Sequence, residues 1–145
     1  MTGFLARGFL GSVVLCAAAA SPAFAADPPA STTVTVVRTA TVTDAGQPIV
    51  LPQGDVRVTA SIYEIPVGAT LPVHKHPSAR YAYVLAGDLR VTNHETGETS
   101  DYKPGDFVIE MIDTWHLGTN IGTEAVRLLV IDQAQGDAAT VILQP

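Results

Sequence analysis

A chain of 145 residues with 14 Asp and Glu against eight Lys and Arg carries a formal net charge of −6, which excludes a protein built to follow a phosphate backbone. No basic amphipathic stretch suits it to a membrane surface either. Its one cysteine, Cys16, excludes an internal disulfide.

In chain order, the first element is a leader. One positive charge, Arg7, precedes the uncharged apolar run Phe9–Ala20, and Ala23-Phe24-Ala25 sets small residues at the two positions a signal peptidase reads. Residues 1–25 are therefore expected to be a signal peptide cleaved after Ala25, delivering a secreted protein to the bacterial periplasm. The run is shorter than the roughly 20 apolar residues of a spanning helix. Leu15 before Cys16 is also large where a lipoprotein signal prefers a small residue. Cleavage removes Arg7 and Cys16, leaving about 120 residues, one domain's worth, free of the membrane.

Residues 26–32 read as a disordered lead-in with two prolines, and residues 33–145 as the folded domain. Strands are expected at Thr33–Val37, Pro48–Pro52, Asp55–Ile65, Tyr81–Leu85, Leu89–Thr92, Phe107–Ile112, Val126–Ile131 and Thr140–Leu143. Ala86-Gly87-Asp88 reads as the turn of a hairpin, Asn93–Glu98 as a polar turn, and Lys103–Asp106 as a bend, together a meander. No stretch after the leader has helical periodicity, so the fold class is all-β, a sandwich or barrel.

Four histidines carry the chemistry. His74 and His76 lie two apart, on one face of an extended segment, and both imidazoles can reach one ion. His116 stands 40 residues later beside another strand, while His94 falls in the polar turn and reads as solvated. Glu64 and Glu110 read as solvated strand positions, and Asp106 and Asn120 as turn and strand-end residues.

The segment Gly68–Gly87, with His74-Lys75-His76 at its centre, resembles the first motif of the cupin family: Gly, five residues, His-x-His, then Glu, then Gly. The stretch Gly105–Asn120 resembles the second motif through Gly105, His116 and Asn120, with Met111 for the usual proline and Asp113 for the usual glycine. The resemblance implies a single-domain jelly-roll β-barrel and a divalent transition metal (Fe, Zn or Cu) on His74, His76 and His116. The motif's glutamate position holds Arg80, and a guanidinium cannot ligate. Three arrangements stay open: Arg80 turns outward to an acidic residue, points inward to an anionic substrate, or marks a site that has lost its metal. Arg80, Tyr81 and Trp115 are the substrate-binding candidates. The implied functions are a dioxygenase- or isomerase-like metalloenzyme acting on a small chelating anion, or a non-catalytic small-ligand-binding module. A homodimer is permitted through the apolar Val126–Ile131 segment. An immunoglobulin-like adhesion domain, the third reading, predicts that the histidines stay apart.

Overall fold

A computed structural model describes residues 31–145, so the expected signal peptide and all but the last two residues of the lead-in lie outside the described residues. The compact unit considered below is Val34–Pro145. It contains β1 (Val56–Ile65), β2 (His74–Lys75), β3 (Tyr81–Ala86), β4 (Leu89–Asn93), β5 (Thr99–Tyr102), β6 (Phe107–Ile109), β7 (His116–Asn120), β8 (Val126–Gln135) and β9 (Ile142–Leu143). Among the described residues there is no helix.

The strands form two antiparallel sheets, one ordered β1-β8-β3-β6 and the other β5-β4-β7-β2-β9. Period-two alternation sets what faces inward. Val126, Leu128, Val130, Asp132 and Ala134 of β8 are buried, as are Ala82 and Val84 of β3. These meet Leu89 and Val91 from the other sheet, closing a core with Ile65 and Val108 between the two layers. This is a jelly roll, all-β as expected.

Three expectations are corrected. First, β3 and β4 are not a hairpin, because β3 pairs with β6 and β8 while β4 pairs with β5 and β7. The turn at Ala86–Asp88 instead carries the chain from one sheet to the other. Gly87 has φ 74° there, and a Cβ on it would lie 2.8 Å from the Ala125 carbonyl oxygen, so glycine is required for both shape and space. Second, Thr33–Val37 forms no strand despite its β-branched residues, and Pro48–Pro52 gives only an isolated bridge from Pro48 to Val42. Propensity does not supply a neighbour to pair with. Third, Val126–Ile131 offers no edge for a dimer, since β8 is flanked by β1 and β3; the edges of that sheet are β1 and β6.

Candidate metal centre

The sheets bring the histidines together. In β2, His74 pairs directly with His116 of β7, and His76 forms a parallel bridge to Ile112. All three are buried, and their ring centroids lie 4.5 to 5.0 Å apart. Glu110, just past the end of β6, completes the group: its Oε2 is 2.9 Å from His76 Nε2 and 3.1 Å from His116 Nε2. One ligand atom from each of His74, His76, Glu110 and His116 lies within 4.8 Å of the others. His94 is exposed, and Glu64 pairs with Arg127 at the surface, as the sequence suggests.

Glu110 corrects the solvated reading. The register Tyr81↔Ile109 and Ala82↔Val108 places Glu110 across from Arg80, and the Glu110 amide donates to the Arg80 carbonyl at 2.9 Å. The arginine thus occupies the motif's glutamate position, and a carboxylate enters from the neighbouring strand. Only this cross-strand register reveals it, because Phe107–Ile112 is nearly continuous apolar sequence in which one acidic residue reads as a solvent-facing position.

Backbone contacts fix the imidazole tautomers. His74 Nδ1 lies 2.7 Å from the Pro72 carbonyl, His76 Nδ1 2.8 Å from Thr140, and His116 Nδ1 2.8 Å from Thr114. A carbonyl only accepts, so each Nδ1 donates its proton outward and each ring turns its Nε2 toward the cluster. His76 Nε2 is fully buried and, although close to Glu110, is not aligned for a hydrogen bond with any described residue. A buried ring nitrogen without a hydrogen-bond partner, facing two other imidazoles and a carboxylate, is what a cation would satisfy. Three imidazole nitrogens and one carboxylate oxygen fit a divalent transition metal. Burial alone would raise the Glu110 carboxyl, but the close His116 and His76 imidazoles, with Arg80 nearby, hold it well below the usual range. Burial, then the fields of His116 and His76, lowers His74, which favours the neutral, ligating form.

Arg80 pairs with an acidic residue, but inside the fold. It is 4% exposed and grips Asp132 through Nε at 2.7 Å and Nη2 at 3.0 Å, while Nη2 also donates to the Tyr63 hydroxyl at 3.1 Å. Burial opposes the charge, yet Asp132 and Glu110 more than offset it and raise the Arg80 pKa. A cavity of about 20 Å³, room for one or two waters, lies among His74, Glu110, His116, Arg80, Tyr63 and an apolar wall that includes Leu71 and Val130. Tyr81 does not line it; it faces the outer side of its sheet and stacks on Phe107 with centroids 6.0 Å apart. Trp115 does not line it either and lies under Lys75 Nζ at 5.2 Å. Asp113, where the family motif has glycine, adopts φ 51°, the left-handed conformation that glycine and Asp tolerate best. The buried Asn120 amide donates to the carbonyls of Ile65 and Glu124, a strand-end role.

A jelly roll with histidines from two strands converging inside it defines a class, and the sequence matches within that class. The cupin domain description fits residues 61–132, and the chain belongs to the cupin family. No curated protein matches. Among solved structures, the chain is 28% identical to the cupin domain of Schizosaccharomyces pombe Cnp3, covering 59% of this chain and 61% of that one at a TM-score of 0.49. It spans under two thirds of that domain's length. An uncharacterized conserved protein from Klebsiella pneumoniae with a double-stranded β-helix domain is 24% identical, with 66% and 75% covered and a TM-score of 0.50. The polyketide cyclase RemF of Streptomyces resistomycificus is 20% identical, with 63% and 65% covered and a TM-score of 0.52. The last two likenesses are of fold.

Proposed function

We propose that this cupin is an exported metalloprotein that holds one divalent transition metal on His74, His76, His116 and Glu110 and acts on a small chelating molecule. The observation that carries the reading is the fully buried His76 Nε2, which has no hydrogen-bond donor and faces the two other imidazoles and the carboxylate. Such an ion supplies Lewis acidity toward an enolate or carboxylate oxygen and, where it is iron, activation of O₂. The chain's own groups set the conditions. Carbonyls of Pro72, Thr140 and Thr114 orient the rings, Glu110 lowers the net charge of the cluster, and the apolar wall excludes bulk water. Elemental analysis of the untagged protein should find one equivalent of iron, zinc or copper that is lost in His116→Ala. A well-folded protein that stays metal-free when offered these ions overturns the reading.

A second reading, capture of a ligand without turnover, draws support from the small cavity and from Glu110, which as a ligand cannot serve as a general base. Oxygen consumption and product analysis on the metal-loaded protein with chelating anions separate the two: sustained uptake or a changed anion supports the enzyme, and binding without either supports capture. The export proposal rests on Phe9–Ala20 and Ala23-Phe24-Ala25 and predicts a periplasmic protein beginning at Ala26, read by N-terminal sequencing. A chain recovered only from the cytoplasm with Thr2 intact overturns it. A homodimer would use β1, an exposed edge strand that carries Val58 and Ile62 outward, and sedimentation at monomer mass overturns that.

A further inference from the structure

The two outer faces of the jelly roll differ in chemistry. On the β5-β4-β7-β2-β9 sheet, outward-facing Arg90 stands between Asp101 of one neighbouring strand and Thr119 of the other, and the two charges pair at 2.6 Å. That is what an antiparallel sheet shows when one side packs on the core and the other meets water. On the β1-β8-β3-β6 sheet, the register lines up Ile62, Leu129, Tyr83 and Phe107 in one row across all four strands. The next row runs through Ala60, Ile131 and Tyr81. Neither row holds a charge, and the opposite side of the same sheet already fills the core. A sheet that is apolar on both faces calls for cover on both.

This outer face also has relief. On its β1 flank, Val58 and Ile62 stand out, 63% and 52% exposed. On its β6 flank lies an open groove of about 610 Å³ whose walls include Ile49, Leu51, Tyr81 and Phe107. Projections on one flank and a groove on the other match each other under a two-fold axis that runs along the strands between β8 and β3. Such an axis lays the β1 of each copy over the β6 of the other. Four strands about 4.8 Å apart and about 20 Å long give the face roughly 400 Å² in projection, a size at which an exposed apolar patch is often an interaction site. Side-chain relief and the Ile49–Leu51 flank carry the accessible area toward the roughly 800 Å² that each partner buries in a specific dimer. The chain's net charge is −6, so two copies meet with least repulsion on a face that carries no charge. Glu64 and Arg127 pair with each other at one end of the face, which gives it a polar rim.

We propose that this face is the interface of a two-fold homodimer, in which Val58 and Ile62 of each copy seat in the groove beside β6 of the other. The interface rests on the homodimer reading above and moves the contact from the backbone edge of β1 to the side chains of the whole sheet.

The test is analytical ultracentrifugation of the mature chain and two variants, Ile62→Lys on the projecting flank and Leu51→Glu on the groove. Both residues are 52% exposed, so each variant should keep the circular-dichroism spectrum of the unaltered chain. The unaltered chain should sediment as a dimer, and each variant alone should lose dimer affinity by at least about 100-fold. Mixed in equal amounts, the two variants should recover the dimer, because the introduced lysine then faces the introduced glutamate at one contact and the other contact is unchanged. Monomer mass for the unaltered chain at every concentration overturns both the dimer and this interface, and leaves the face to a different partner. Variants that dimerise as well as the unaltered chain overturn the face and leave pairing through the β1 edge. Variants that are monomeric alone and stay so when mixed overturn the packing of β1 on the groove.

Discussion

At the scale of single residues, Arg80 sits in register with two carboxylates, Asp132 on one neighbouring strand and Glu110 on the other. Its charge is held by Asp132, so removing that partner strands a cation in the interior. Asp132→Ala should cost about 3–5 kcal/mol of stability, measured by urea denaturation, and a loss below about 1 kcal/mol would refute the pairing argument. Restoring the family glutamate should not help, because Arg80→Glu would set three carboxylates close together. Glu110→Gln keeps shape but removes the anionic ligand, so metal affinity should fall by more than the 10–100-fold typical of groups that only orient ligands. Competition with a chromophoric chelator measures this, and an unchanged affinity would remove Glu110 from the centre. Protons act on the same groups. His74 is lowered from 6.5 and Glu110 from 4.5, so each adds stability that is present above those values and lost as the pH falls below them, when the unfolded chain takes up protons the folded one resists. The metal-free protein should therefore melt at falling temperature from about pH 6.5 downward, with a steeper fall below about pH 4.5. A flat profile from pH 7 to 4 would contradict these shifts.

Among the elements, the short C-terminal strand has more to do than its size suggests. β9 pairs with β2 through His74↔Leu143 and Lys75↔Ile142, the Gln144 amide donates to the Val73 carbonyl, and the Thr140 carbonyl fixes His76. Ile142 and Leu143 are exposed, so this segment adds little to the core. Truncation after Gly136 should leave the circular-dichroism spectrum near that of the full chain and lower metal affinity about 10–100-fold, the usual cost of losing a ring-orienting partner. Unchanged affinity would show that β2 holds its histidines unaided. None of this coupling is visible before the fold is known, and the same boundary separates the rest of what the sequence discloses. His74 and His76 can be read together because their relation is local, two residues on one strand, and His116 follows from motif spacing. Glu110 cannot, since its place depends on the pairing of β3 with β6. The strands themselves are marked by β-branched runs and turn residues, but their partners are not, so the β3–β4 turn passes for a hairpin. β5, Thr-Ser-Asp-Tyr, is too polar to announce itself; it pairs with β4 through backbone bonds and the Arg90–Asp101 contact.

For the molecule as a whole, the core is modest and no disulfide braces it, because Cys16 is the only cysteine. The apolar interior between the sheets is interrupted at one end by the three histidines, Glu110, Arg80 and Asp132, all at least largely buried. Three imidazoles and a carboxylate gathered this closely exist as a site only in the folded chain, so an ion bound there stabilises the fold. An ion that binds only the native state adds about 2.7 kcal/mol at one hundred times its dissociation constant. For a domain of this size each kilocalorie raises the midpoint by about 4 °C, so loading should lift it by about 10 °C and a chelator should reverse the gain. Differential scanning calorimetry with and without metal, repeated on His116→Ala, makes the comparison. The variant should show no metal-dependent shift, and an equal shift in both proteins would mean that the ion binds elsewhere.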